Sequence, residues 1–131
     1  MATSRFDARL VRDKAQAAID EQFTKRERAS EDALQSYVGE IVSEGIWPFK
    51  RYHVRTRTEA EERYGREGSL RTTRYWVERP FNLRIQRIRE ILLLSKAAVG
   101  PSVRMGTISD GFVTLNSDEA QLIGLHEVDA V

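Results

Sequence analysis

From Ser4 to about Arg28, the residues Phe6, Leu10, Val11, Ala15, Ala18, Ile19 and Phe23 recur at steps of three and four, the spacing of an amphipathic helix. Alanine and glutamine in the same stretch favour that conformation. A second helix is expected to begin at Ser30, whose hydroxyl suits an N-cap and which precedes Glu31 and Asp32 in the first turn. Leu34, Tyr37, Val38, Ile41 and Val42 would form its apolar stripe, and Gly45 its left-handed stop. No Gly or Pro separates the two segments, so one long helix is the alternative; the capping signal favours a break near Ala29.

Ile46, Trp47, Pro48 and Phe49 form an apolar joint where Pro48 prevents the helix from continuing. The period then changes to two. In RYHVRTRT, residues 51–58, Tyr52, Val54 and Thr56 are expected on a buried strand face, with Arg51, His53, Arg55 and Arg57 on a wet one. Thr58 and Glu61 have capping-box spacing for a helical turn through Tyr64, and Gly65 and Gly68 make a flexible tip. Residues 69–78, SLRTTRYWVE, read as a second strand because Thr, Tyr, Trp and Val suit one. The two strands together describe a hairpin with a long charged excursion.

After Pro80 and Asn82, the apolar residues Ile85, Ile88, Ile91 and Leu92, with Ser95, fall at helical steps up to a Gly100-Pro101 stop. Leu83 and Ile85 alternate, so the first few residues could instead extend the sheet. The segment VRMGTI, the Asp110-Gly111 turn and FVTL describe another hairpin, and Asn116 or Ser117 caps a short last helix bearing Asp118 and Glu119. The expected class is α+β: an N-terminal helical pair, a small antiparallel sheet built from hairpins, an amphipathic helix near 82–98 and a short C-terminal helix. One domain over 1–131 is expected, with a helical segment at 1–45 and an α+β segment at 46–131.

Charge changes the picture. The net charge is only +1, but residues 50–89 hold 12 Lys and Arg against 5 Asp and Glu, between flanks of balance −2 and −4. A basic block of this kind bears on partners, not on fold. The chain has no cysteine, which excludes disulfides and thiolate chemistry. No apolar run has the length of a signal peptide or a membrane span, so a soluble cytoplasmic protein without membrane contact is expected.

The alternating cations point to phosphate. Arg51, Arg55 and Arg57 on one strand, Arg71 and Arg74 on the other, and Arg63 and Arg66 at the tip would form a sequence-independent surface for DNA or RNA, with interleaved aromatics as stacking faces. The plainer reading is a solvated strand face, its arginines paired with Glu59, Glu61, Glu62, Glu67 and Glu78. His53, among arginines, is expected to resist protonation; His126 stands near Glu127 and Asp129, but neither histidine has ligand spacing. The acidic runs read as helix N-terminal turns, and the glycines form no phosphate loop. Trp47, Tyr75 and Trp76, near arginines, are candidate protein contacts, with core anchoring as the plainer reading. The N-terminal helices could also pair two copies. The sequence thus favours a small non-enzymatic binding protein with a basic β-hairpin at 50–89 for nucleic-acid phosphates. Its alternative is a protein interaction module, an inhibitor or an assembly subunit, and no catalytic, cofactor or metal residue is assigned.

Overall fold

The computed structural model describes residues 2–99 and 111–131. In chain order they form β1 (Thr3–Asp7), α1 (Ala8–Gln35), β2 (Ile41–Glu44), β3 (Arg51–Val54), α2 (Arg57–Tyr64), α3 (Thr73–Val99), β4 (Phe112–Asn116), α4 (Ser117–Leu122) and a 3-10 turn at Glu127–Asp129. The class is α+β, with the long helices α1 and α3 packed together, two small two-stranded antiparallel sheets and a short C-terminal helix. The chain divides into two compact units, residues 1–23 with 82–131, and residues 24–81.

In the first unit, Val11, Ala15 and Ile19 of α1 share one buried cluster with Ile88, Ile91 and Leu92 of α3. Phe6 of β1, Val113 and Leu115 of β4, and Ile123 and Leu125 complete it. β1 pairs antiparallel with β4, from Thr3 opposite Asn116 to Asp7 opposite Phe112. Residues 3–7 are therefore a strand and not the first turn of the helix. Phe6 fits both periods, but here it enters the core by alternation, and Arg5 on the other face stacks over the Phe112 ring at 4.5 Å. Asp7 then accepts the Arg9 N–H at 2.8 Å, a cap that starts α1. Of the two caps the sequence allows, Asn116 is the one that caps α4, in a reciprocal capping box with Glu119. The other expected strand of that hairpin and the Gly100-Pro101 stop lie outside the described residues; the partner of β4 is β1.

The second unit has a smaller core, Leu34, Ala60 and Tyr64, flanked by Ala33, Tyr37, Val38 and Val77. Hydrogen bonds supplement it: Tyr37 Oη lies 2.9 Å from Thr73 Oγ1, and the Tyr64 hydroxyl donates to Ser30 Oγ at 2.7 Å. Ser30 is thus not an N-cap. Its hydroxyl lies within the continuous α1 and donates to Glu78 at 3.1 Å, so the expected break near Ala29 does not occur. The helix ends at Gln35, ten residues before the expected stop, because Gly39 adopts φ +88° and donates its N–H to Arg55 O. Ile41 and Val42 consequently belong to β2, which pairs with β3.

That pairing removes the expected 50–57/69–78 hairpin. Residues 73–78 are the first turns of α3, which runs through Pro80 at the loss of one backbone donor. β-propensity loses here because helix geometry lets Val77 pack on the Leu34 cluster and lets Glu78 receive both Ser30 and Arg74. The cap of α2 is Thr56 with Glu59, two residues ahead of the expected Thr58 and Glu61.

Candidate functional site

The strand β3 carries the alternation that its sequence announces, but its apolar residues are not buried. Its register places Ile41 opposite Val54 and Ser43 opposite Tyr52 on one face, and Val42 opposite His53 and Glu44 opposite Arg51 on the other. The expected buried face is the exposed one: Tyr52 is 67% and Val54 60% accessible. His53 is half-buried instead, and the Arg55 side chain beyond the strand retains only 15% of its accessibility.

Several of the cations are held within the unit, most of them by the chain's own acids. Arg55 pairs with Glu40. Arg57 makes a bidentate pair with Glu31, at 2.7 and 3.0 Å, and a third contact to Glu61 at 3.3 Å. The hydrogen bond from Arg57 holds the Glu31 carboxyl below the ordinary carboxylate value, and Arg57 in turn holds its proton more tightly. Arg74 bonds Glu78 at 3.2 Å and lies 3.8 Å from Glu67, while Arg63 and Arg55 both stack near the Tyr37 ring. Arg51, Arg66 and Arg71 are exposed and have no ion pair among the described residues. The seven expected phosphate contacts are therefore split: four are tied inside the unit, and three, on β3, after α2 and before α3, are not.

His53 departs from its expected behaviour. Its Nε2 lies 2.6 Å from Glu59 Oε2 and its Nδ1 3.6 Å from Glu44 Oε1, linking β3 to the N-terminus of α2 and to β2. The Glu59 hydrogen bond, aided by both carboxylates, raises His53 above its ordinary 6.5 despite burial and the opposing Arg55 charge. The same bond holds Glu59 below its ordinary 4.5. The His53 contribution to stability is complete below 6.5 and is lost as pH rises through the raised value; the Glu59 contribution is present above 4.5 and is lost as pH falls through the lowered one. The clasp is therefore strongest between these two limits. Melting of His53→Gln and the native chain across the pH range should differ most in that window and converge well above it.

The turn between β2 and β3 is exposed as well. Gly45 adopts φ +88° there, and a Cβ on it would stand 2.8 Å from the Phe49 carbonyl oxygen, so the tight turn requires glycine. The turn presents Ile46, Trp47 and Phe49 at 84, 80 and 81% accessibility. With Ile41, Tyr52 and Val54 they make six large apolar side chains on one fourteen-residue hairpin, residues 41–54. Trp47 is thus not a core anchor. Neither is Trp76, 62% accessible on α3, which meets Tyr75 edge-to-face at 5.2 Å with Arg79 over both rings. The sequence singled out Trp47, within the joint Ile46–Phe49, and Tyr75 and Trp76; it missed Ile41, Tyr52 and Val54 as part of a protein-contact surface. Their signal was the dense apolar joint IWPF beside an alternating strand.

A cleft of about 570 Å³ in the same unit is lined by residues that include Ser30, Glu31, Leu34, Tyr64, Arg74 and Glu78. Within it a chain of bonds runs from the Tyr64 hydroxyl to Ser30 and on to Glu78, which also receives Arg74 Nε. Burial raises the Tyr64 phenol above its ordinary value, keeping it the donor. These groups satisfy one another and join α1, α2 and α3. Among the described residues, no three His, Asp or Glu side chains are placed to hold a metal ion; at His126 the neighbouring Asp129 instead accepts the His126 backbone N–H. No helix of the described residues is long and apolar enough to cross a membrane. The apolar stripe by which the N-terminal helices could pair two copies, Val11, Ala15 and Ile19, is buried in the core of its own unit. Comparison with protein-family models, curated proteins and solved structures gave no match to this chain.

Proposed function

We propose that this chain is a protein-binding module whose contact surface is the β2–β3 hairpin. The observation that carries this reading is the set of six large apolar side chains, each at least 60% accessible, gathered on residues 41–54. Single exposed apolar residues are ordinary on any surface, but six on one short hairpin are a concentration that binding sites share. Aromatic side chains at the tip beside Lys50 and Arg51 have the composition of interface hot spots. Such a surface works by desolvation, so its affinity should tolerate salt. Capture of a partner by the immobilised native chain should survive nuclease treatment and high salt, and should be lost with Trp47→Ser/Phe49→Ser. Loss on nuclease treatment would sink the reading.

Arg51, Arg66 and Arg71, exposed and without ion pairs among the described residues, favour a second reading in which the chain binds nucleic-acid phosphates. Anisotropy of labelled single-stranded and duplex DNA and RNA tests it. Binding that weakens steeply with salt, with a slope lowered by about one unit for each of these arginines replaced by alanine, supports phosphate contact. Equal binding by the triple variant rejects it.

A further inference from the structure

The hairpin has an edge as well as a face. Arg55 donates its backbone N–H to Glu40 O, so in the antiparallel register His53 and Arg51 also turn their amides toward β2. Tyr52 and Val54 turn theirs outward. No backbone group of the described residues outside the β2–β3 pair bonds to them. Two four-residue strands with an exposed apolar face make a marginal sheet, and a third strand would both satisfy this edge and cover Tyr52 and Val54.

Charge decides what that strand is. Around the hairpin the acids are engaged, Glu40 by Arg55 and Glu44 and Glu59 by His53, whereas Lys50 and Arg51 have no ion pair among the described residues. The charged groups beside β3 that have no ion pair among the described residues are thus the cations Lys50 and Arg51. A second copy joined β3 to β3 about a two-fold axis would set His53 beside itself and Arg51 opposite Arg55 of the other copy, placing like charges together. The edge of β2 offers no unpaired cation to such a partner, its charged residues being Glu40 and Glu44. From the free edge, the apolar face and this charge, we infer that β3 accepts an extended protein segment alternating apolar and acidic residues as a third strand. Its apolar side chains cover Tyr52 and Val54, and its carboxylates meet Arg51. The inference rests on the protein-binding reading and names the partner's chemistry.

The probes are blocked peptides of about eight residues that alternate valine with glutamate or with lysine. Titration calorimetry with the full chain should show binding of the glutamate peptide and at least about tenfold weaker binding of the lysine peptide. Hydrogen exchange should slow at the Tyr52 and Val54 amides. Arg51→Glu, at an exposed position without an ion pair, should reverse the preference between the peptides. Binding of neither peptide, while partner capture still depends on Trp47 and Phe49, overturns strand addition and leaves the apolar surface standing. Protection at Ile41 and Ser43 overturns the choice of edge. Concentration-dependent association of the chain alone, with the same Tyr52 and Val54 protection, overturns the choice of occupant in favour of a second copy.

Discussion

Replacing Phe6 by alanine is expected to cost the first unit about 3–5 kcal/mol of stability. The ring is 1% accessible and lies in the buried cluster that joins α1, α3 and β4. Truncation removes the largest fully buried side chain of the unit and leaves its volume walled by Val113 of the paired strand and by helical residues that cannot all collapse inward. The neighbouring Thr3→Ala, on an exposed position of the same strand, should change stability by less than about 0.5 kcal/mol. Chemical denaturation followed by circular dichroism checks both. A cost below about 1 kcal/mol for Phe6→Ala would mean that β1 does not seal this core.

That strand also shows where sequence patterning fails. Phe6, Leu10 and Val11 are spaced for a helix, and nothing within residues 3–7 reveals that β4, more than a hundred residues away, will claim them. Long-range pairing decides the conformation of so short a segment. The same holds at residues 73–78, where Thr, Tyr, Trp and Val suit a strand but no strand remains to pair with, because β3 has taken β2. Features with a local cause were legible: the apolar stripe of 82–98, a cap at Asn116 or Ser117 for the last helix, a strand within 50–57, and β4. For the candidate site, the division of β3 into an apolar and a cationic face could be read from period two alone. Its orientation could not. Glu40 and Glu59, which draw the cationic face inward, act through tertiary placement, and an alternating strand reads identically either way up.

The second large effect is on binding. Trp47→Ser/Phe49→Ser should reduce partner affinity by at least about 2 kcal/mol for each anchor, roughly a thousandfold together if the two act independently. Both side chains are some four-fifths accessible, so their removal takes nothing from either core and should leave the melting midpoint of the native chain essentially unchanged. This combination, intact folding with lost binding, separates a docking surface from a structural one. The arginines offer the converse contrast. Arg57 is held by Glu31 and Glu61, so Arg57→Ala perturbs the second unit's own charge network, whereas Arg51→Ala perturbs none among the described residues.

The most direct test places a photo-crosslinking phenylalanine analogue at Trp47 and, separately, at Leu93, an exposed apolar position on α3 in the other unit. Irradiation in the cell of origin should join the Trp47 variant to one protein of defined mass, and the Leu93 variant should give no such product. Equal products from the two positions, or a nucleic-acid adduct at Trp47, would contradict the assignment of the β2–β3 hairpin as a protein-binding surface.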